Sequence, residues 1–468
     1  MSPAAKPSPP FGRGGRGDRI RRRSRRDGET PPGDLPRRAR LAYASASLGA
    51  EALAQSRNLW LLYYYAPPAD ADLEALLPLG AVGGLLAVAA VVEAAYDPLV
   101  GWWSDRARSR LGRRLPFVLA ATPLWALFAF LLFTPPQDAS AAATGAYLFL
   151  VLQLFHLFGT FSGLPYEALF PEIARTSDER IRVVTARVYF GAAGGALGLI
   201  GSGLLVEGAG FQEMALAMAL VALAFRYGGM VGVWGRASRT QPPVRIPLRR
   251  ALAITFSNVY FLLFLPTFVL FQVGLQMLLG SLPFLVNAIL GRQDEGTWVA
   301  IITGVALGTM IAVVPLFGRL ARRTSKRHAY RAAMLWAGLC FPLVSLVGLV
   351  PGIPVEAQMV AVMAAAGAPL AGVFLFPAAL TADIVDHDSL QTGLRREGAY
   401  FGAQNFVEKM ATSLAPLMLA LLLVLGNTAD DPLGIRLVGP AAGVIVLAGW
   451  VIFRRYDLPD DVLAARRE

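Results

Sequence analysis

Residues Val91–Pro116, which read VVEAAYDPLVGWWSDRARSRLGRRLP, decide the fold. The first part is apolar and predicts a helix in which Glu93 and Asp97, one turn apart, share a face. The second part, from Asp105 onward, is a basic hairpin rich in arginine. Acids within an apolar helix followed by such a hairpin are hard to place in a soluble protein. They make sense if the helix crosses a membrane and its acids face a polar interior.

The composition supports a membrane protein. Hydrophobic residues make up 55% of the 468 residues and charged residues only 16%, whereas soluble domains carry about 25% charged residues. Apolar runs of about 18 residues or more recur along the chain, and each is long enough to span a bilayer. They lack the alternating pattern of outer-membrane barrel strands. The sequence therefore predicts an all-α polytopic membrane protein.

The apolar runs predict twelve transmembrane helices in two six-helix bundles, which is the layout of the major-facilitator fold. We expect the spans at residues 41–65, 76–103, 114–134, 143–170, 183–206, 211–235, 256–288, 296–317, 328–350, 356–384, 397–425 and 435–455. The predicted domains are a disordered Arg-rich cytoplasmic tail (1–40), an N-terminal bundle (41–236), a cytoplasmic central loop (237–250), a C-terminal bundle (251–456) and a cytoplasmic tail (457–468).

The distribution of charge predicts the orientation. The net charge is +11, and residues 1–40 hold twelve Lys and Arg against four Asp and Glu. This concentration in one tail argues against a nucleic-acid partner. Arginine clusters follow the even-numbered spans, while the alternate loops carry mostly acids. The positive-inside rule therefore predicts a multi-pass protein of the plasma (inner) membrane with both termini in the cytoplasm.

Several predicted spans contain ionisable residues, each of which costs about 2.5–3.5 kcal/mol at the bilayer centre unless it is paired or hydrated. They are Glu51 and Arg57 in span 1, Glu93 and Asp97 in span 2, Arg187 in span 5, and Glu408 and Lys409 in span 11. Glu93 and Asp97 offer oxygen ligands for Na⁺, or a shared site for a proton. In the alternative interpretation, these two acids only neutralise Lys409 and Arg57.

Uncharged polar residues form further candidate positions on the predicted helices. They are Gln153 and His156 on one face of span 4, Gln272 and Gln276 on one face of span 7, and Asn405 on the same face as Lys409 in span 11. Such side chains either line a substrate cavity or form hydrogen bonds with neighbouring helices. The sequence leaves both interpretations open.

Three stretches resemble the glycoside-pentoside-hexuronide:cation symporter family, the melibiose permease-like branch of the major facilitator superfamily. The first is EAAYDPLVGWWSDR at 93–106 with SRLGRR at 109–114. The second is PYEALFPE at 165–172, followed by DER at 178–180 and by Arg187. The third comprises ADIVD at 382–386, TGLRREG at 392–398 and NFVEK at 405–409.

The resemblance implies roles for individual residues. Glu93 and Asp97 match the cation-binding acids, which would be the metal ligands if the coupling ion is Na⁺, and Lys409 matches a lysine near the cation and substrate sites. Arg187 matches an arginine near the sugar, and Glu51 matches an acid that forms a hydrogen bond with the sugar. The cytoplasmic loop signature, which we expect to act as a gate, corresponds to Gly101, Asp105, Arg106, Arg113 and Arg114.

The chain also departs from the family pattern. Gly163 occupies the position of a sugar-binding aspartate, Glu167 that of a tryptophan that stacks on the sugar, and Arg57 has no counterpart. We expect Glu167, Gln153, Gln272, Gln276 and Asn405 to contribute to the substrate site.

These features predict a secondary active transporter in which Na⁺ or H⁺ drives symport of a small organic solute, a glycoside or other sugar, by alternating access. One alternative is a sodium-dependent transporter of lysophospholipids or other amphiphiles, because such proteins share the span-2 acids and span-11 lysine. The other is a non-transporting membrane receptor or scaffold. We expect no enzymatic activity, no cofactor besides the coupling ion, and a monomer in the lipid bilayer.

Overall fold

The computed structural model describes residues 35–106, 114–174, 177–234, 256–392 and 397–458. Within these ranges the chain is helical, with turns and short loops between the helices and no strand. Several predictions fall outside this description: most of the 1–40 tail, the 237–250 loop, nearly all of the 457–468 tail, Arg113, and the side chains of Asp97, Asp105 and Arg106.

The first half of the chain contains six long helices. They are α1 (Arg37–Tyr65), α2 (Leu79–Arg106), α3 (Leu115–Leu131), α4 (Ala141–Ala168), α5 (Ser177–Ala196, continuing through a π-helical turn at Leu197–Gly201 to Ser202–Ala209) and α6 (Phe211–Val233). A single helical turn, Phe170–Ile173, follows α4. Each long helix satisfies its own backbone hydrogen bonds, as a segment that crosses lipid must.

The second half repeats this arrangement. Its helices are α7 (Val259–Leu285, ending in a π-helical turn at Val286–Leu290), α8 (Glu295–Arg323), α9 (Lys326–Cys340, ending in a 3₁₀ turn at Phe341–Leu346), α10 (Val355–Leu375 and Pro377–Thr392), α11 (Glu397–Thr412 and Ala415–Leu423) and α12 (Leu433–Phe453). The break in α11 precedes Pro416, which has no N–H to continue the helical ladder.

Two predicted boundaries need correction. Helix α1 begins at Arg37, so the last residues of the predicted 1–40 tail are helical. Pro36 at its N-cap starts the helix, and the N–H of Leu35 donates to Glu179 at 2.8 Å, which fixes the entering chain. Helix α2 continues to Arg106, so Asp105 and Arg106 belong to its last turn rather than to the predicted hairpin.

Nine of the helices in the described ranges are long and apolar enough to cross a membrane. Helix α1 is not among them because it carries charged and polar residues. It packs against α5 and α6 in its own half and against α7 in the other half. Neighbouring helices therefore contact these faces of α1 in place of lipid. Glycines allow this close packing, since a Cβ at Gly49 would lie 2.7 Å from the backbone of Ala222.

The closest described contacts between the halves lie at the end of the bundle opposite the termini. Helices α5 and α8 cross there at Gly203 and Gly296, where an added Cβ on Gly203 would lie 2.5 Å from the carbonyl oxygen of Gly296. Helices α2 and α11 cross at Gly83 and Ala420, with a similar separation of 2.5 Å for an added Cβ. We call this the closed end of the bundle.

Polar and aromatic contacts reinforce the closed end. The hydroxyl of Tyr63 donates to Glu295 at 2.8 Å, and its ring packs edge-on against Phe284. Asp70, in the loop between α1 and α2, accepts a hydrogen bond from the N–H of Ala429, in the loop between α11 and α12, at 2.7 Å. These contacts join the halves on one side of a central cavity.

Candidate functional site

A cavity of about 440 Å³ lies between the two halves at mid-bundle. Helices α1 to α4 line it from the first half, and α7 and α11 line it from the second. Its polar lining consists of Arg57, Asn58, Glu93, His156, Thr160, Glu167, Gln276, Lys409, Thr412 and Ser413. The volume lies in the usual range for small-molecule sites, about 300–1,000 Å³.

Glu93 joins the two halves inside this cavity. Its Oε1 lies 2.8 Å from the Nζ of Lys409 on α11, and its Oε2 lies 3.3 Å from the Nδ1 of His156 on α4. The Glu93 side chain is 15% exposed and that of Lys409 is 46% exposed. Asp97 follows one turn later on α2. The structure thus brings together an acid and a lysine that are far apart in the sequence.

Arg57 continues this row of charged groups. Its NH1 donates to Nε2 of His156 at 3.0 Å, and its NH2 and Nε donate to Oδ1 of Asn58 at 2.7 and 3.2 Å. The guanidinium also lies over the ring of Phe155, 5.2 Å from its centroid. Since arginine is always a donor, Nε2 of His156 must be unprotonated here, so the ring proton of a neutral His156 is on Nδ1, facing Glu93.

A second ion pair lies where α4 meets α5. Glu167, which lines the cavity, accepts a hydrogen bond from NH2 of Arg187 at 2.5 Å. The Nε of Arg187 donates to the hydroxyl of Ser47 at 3.3 Å, so the arginine also connects α5 to α1. Glu167 is 47% exposed and so remains accessible from the cavity.

The predicted polar residues divide into two groups. Gln276 lines the cavity, and its buried Oε1 has no hydrogen-bond partner among the described residues. Gln153 donates to the carbonyl of Ala89 at 3.3 Å, and Gln272 donates to Glu408 at 2.7 Å, so both form hydrogen bonds with neighbouring helices. Glu51, Gln153, Arg187, Gln272 and Asn405 lie outside the lining of the described cavity.

The loop signature lies at the end of the bundle where the termini are. Gly101, Asp105 and Arg106 are in the last turns of α2, and Arg114 donates from NH1 to the carbonyl of Ala168, which links the start of α3 to the end of α4. The second half has a related contact. Lys326, at the start of α9, donates to Asp383 on α10 at 2.5 Å.

Several residues of the cavity carry no distinguishing signal in the sequence. Trp125 and Phe155 form apolar walls, and Asn58, Thr412 and Ser413 add polar groups. Thr412 and Ser413 lie at the break in α11, where Pro416 was the available signal. Trp125 lies within an apolar run, and the sequence pattern there does not distinguish a tryptophan that faces the cavity from one that faces lipid.

A bundle of two six-helix halves around a charged central cavity defines a solute transporter of the major-facilitator class. The chain belongs to the MFS/sugar transport protein family, which it matches over residues 42–433. Members of this family are transporters and not enzymes, and this protein is a symporter of the same kind. The resemblance to glycoside-pentoside-hexuronide:cation symporters is confirmed.

Three relatives illustrate the breadth of the family. An uncharacterised symporter of Synechocystis is 25% identical over 475 residues, covering 82% of this chain and 85% of the relative. The isoprimeverose transporter of Lactiplantibacillus pentosus is 22% identical over 369 residues, covering 74% and 72%. The inner membrane symporter YicJ of Escherichia coli is 23% identical over 439 residues, covering 89% and 91%.

Proposed function

We propose that this protein couples the entry of Na⁺ or H⁺ to the uptake of a glycoside or other sugar by alternating access. The observation that carries the proposal is the ion pair between Glu93 and Lys409, at 2.8 Å, which joins the two halves at the cavity. The printed name of the relative from Lactiplantibacillus pentosus, an isoprimeverose transporter, supports a sugar as the solute class.

The coupling cation and Lys409 compete for the same carboxylate. A cation that binds Glu93 and Asp97 displaces the Lys409 ammonium from Oε1 of Glu93. The negative charge of the Glu93 carboxylate then attracts the bound cation as well as the lysine, so the ion pair with Lys409 is weaker. Glu93 belongs to the first half and Lys409 to the second, so this exchange alters a contact between the halves. Cation binding in this way favours one arrangement of the halves over the other, as coupling requires.

The cavity offers groups that suit a sugar. Trp125 and Phe155 provide apolar faces against which a pyranose ring packs. Gln276 contributes an acceptor, and Thr412 and Ser413 contribute hydroxyl groups, all from the second half. A solute held between these two surfaces contacts both halves and helps to close them around it.

From the positive-inside pattern we propose that both termini lie in the cytoplasm of a cell bounded by a plasma (inner) membrane. In this orientation the closed end faces outward, and we propose that the solute leaves the cavity toward the cytoplasm. We propose that each polypeptide works as a monomer, since one chain contains both halves of the cavity.

The test is uptake into proteoliposomes under an imposed Na⁺ or H⁺ gradient. Wild-type protein should accumulate a radiolabelled glycoside, whereas Glu93→Gln and Asp97→Asn should reduce gradient-driven uptake at least tenfold, because each removes a cation ligand. Glu356→Gln is the matched control, since Glu356 belongs to a surface ion pair with Arg292 at 3.0 Å. It should retain full uptake.

The same assay separates the alternatives. Undiminished uptake in both acid variants would overturn the assignment of the cation site. Accumulation of a lysophospholipid but of no sugar would replace the sugar by an amphiphile. If no solute is accumulated or exchanged by the wild-type protein, a receptor or scaffold remains as the function.

A further inference from the structure

Three arginines meet at the end of the bundle opposite the closed end. Helix α8 begins at the closed end with Glu295, so the start of α9 lies at the opposite end, together with the end of α12. Arg327 and Arg331 lie one turn apart at the start of α9, and Arg454 is the C-cap of α12. The charges of Arg327 and Arg454 both repel that of Arg331. We call these three residues the arginine cluster.

The arginine cluster holds the C-terminal end of α12. NH1 of Arg327 donates to the carbonyl oxygen of Asp457 at 2.6 Å, and NH2 of Arg331 donates to that of Arg454 at 3.3 Å. The guanidinium of Arg454 lies over the ring of Trp450, 5.2 Å from its centroid. Basic side chains commonly bind the last carbonyls of a helix. These contacts therefore position the arginines and explain part of the cluster as a helix cap.

The helix cap leaves most of the positive charge uncompensated. A helix C-terminus carries about half a negative charge, whereas the arginine cluster carries three positive ones. Among the side chains that the structure describes, no carboxylate forms an ion pair with any of the three arginines. The neighbouring Lys326, by contrast, is paired with Asp383. An anion bound at the arginine cluster would balance this local excess of positive charge.

The arginine cluster also has unused hydrogen-bond donors. The described hydrogen bonds use one nitrogen of Arg327 and one of Arg331. The Nε of Arg331 is buried and has no hydrogen-bond partner within the described ranges. Each guanidinium carries five N–H donors, and a phosphate group accepts several charge-assisted hydrogen bonds at once. The chemistry of the cluster therefore suits a phosphate.

The surroundings of the arginine cluster favour a phosphate that belongs to a lipid. Helices α9 and α12 are among those long and apolar enough to cross a membrane, so the arginines at their ends lie at the level of the lipid headgroups. Toward the bilayer centre, α9 exposes Trp336 and Leu339 and α12 exposes Val451. A soluble anion leaves this apolar surface uncovered, whereas the acyl chains of a phospholipid cover it.

We propose that the arginine cluster is a binding site for the phosphate of an anionic phospholipid whose acyl chains lie along α9 and α12. The site is outside the central cavity, and its occupation does not depend on which solute or coupling ion is transported. A lipid bound there contacts both helices and stabilises the second half at the end where the termini lie.

The test is lipid binding to the purified, delipidated full-length protein, measured by native mass spectrometry. Dioleoylphosphatidylglycerol and dioleoylphosphatidylcholine share their acyl chains and differ in headgroup charge, and glycerol 3-phosphate carries the phosphate without the chains. We expect phosphatidylglycerol to bind at least tenfold more tightly than phosphatidylcholine, because only its headgroup has a net negative charge. A large excess of glycerol 3-phosphate should not displace it.

Variants then assign the preference to the arginine cluster. The triple variant Arg327→Gln, Arg331→Gln, Arg454→Gln should reduce the preference for phosphatidylglycerol to within about twofold, since it removes all three charges.

The matched control removes three exposed arginines from the last turns of α8, at the same end of the bundle. It is Arg319→Gln, Arg322→Gln, Arg323→Gln, and it should keep the preference.

Each other outcome contradicts a definite part of the proposal. Equal binding of the two lipids by the wild type, or a preference that survives in the triple variant, overturns the site. An equal loss in the control would show diffuse attraction of headgroups to basic helix ends instead. Displacement by glycerol 3-phosphate would make this a site for soluble phosphates. If the triple variant fails to fold, Arg454→Gln decides, and it should lower the preference at least about threefold; an unchanged preference would overturn the site.

Discussion

Replacing Lys409 by glutamine provides a quantitative test of competition at Glu93. The Lys409 ammonium lies 2.8 Å from Oε1 of Glu93. Coulomb's law gives about 1.5 kcal/mol for such a pair at the dielectric constant of water and about 6 kcal/mol at an effective value of about 20. Lys409 is 46% exposed, so the lower figure applies. A cation that no longer displaces the lysine should therefore bind about tenfold more tightly.

The measurement is thermal stabilisation of purified protein as a function of Na⁺ concentration at fixed pH, and of pH without Na⁺, so that either coupling ion is detected. Lys409→Gln should shift the midpoint for the relevant ion about tenfold toward lower concentration. Adding Glu93→Gln should abolish the shift, because the carboxylate under competition is gone. Lys326→Gln is the matched control, since Lys326 pairs with Asp383 near the end of the bundle. It should leave the midpoint unchanged.

A midpoint in Lys409→Gln equal to that of the wild type, or a weaker one, would refute the competition. A shift that persists in the Glu93→Gln background would show that the lysine acts through another group. Either result would require a different origin for the coupling between the halves.

Two further predictions concern the closed end. Gly296→Leu should force α8 away from Gly203 and favour the state in which the closed end is open. Gly308→Leu is the control, because Gly308 lies on the same helix but faces open space. The measurement is the distance between spin labels across the closed end, and an unchanged distance in Gly296→Leu would contradict the prediction. Tyr63→Phe removes the 2.8 Å hydrogen bond to Glu295, worth about 1 kcal/mol, and should lower the closed-to-open ratio roughly fivefold. Tyr64→Phe, whose hydroxyl bonds only within the first half, is the control, and equal ratios in the two variants would refute the role of Tyr63.

The positions of the helices along the chain follow from local properties of the sequence. The length and apolar character of the runs, together with their basic flanks, predicted helical spans whose positions agree with the observed helices to within a few residues in most cases. Differences occur at helix ends, where capping decides the outcome. Pro36 starts α1 before the predicted position, and α2 continues into residues whose charges had indicated a loop.

The candidate site was only partly accessible to the same reasoning. Glu93, Glu167, Gln276 and Lys409 were predicted and line the cavity. Charge in an apolar helix is a strong local signal because it is costly in lipid. Gln153 and Gln272 carried a similar signal, but they form hydrogen bonds with neighbouring helices instead. A glutamine on a helix face can either line the cavity or form a hydrogen bond with a neighbouring helix, and the helical periodicity of the sequence is the same in both cases.

The amino-acid sequence by itself determined that this protein is a helical membrane protein with acids and a lysine in its apolar helices, because membrane length and the cost of buried charge act on each helix separately. The resemblance of three stretches to a symporter family indicated the class of transporter. Only the tertiary structure decided which charges meet. It placed Lys409 on Glu93 across the two halves and linked Arg57 to Glu93 through His156. These pairings depend on how the helices rotate and cross, which is set by packing over the whole bundle.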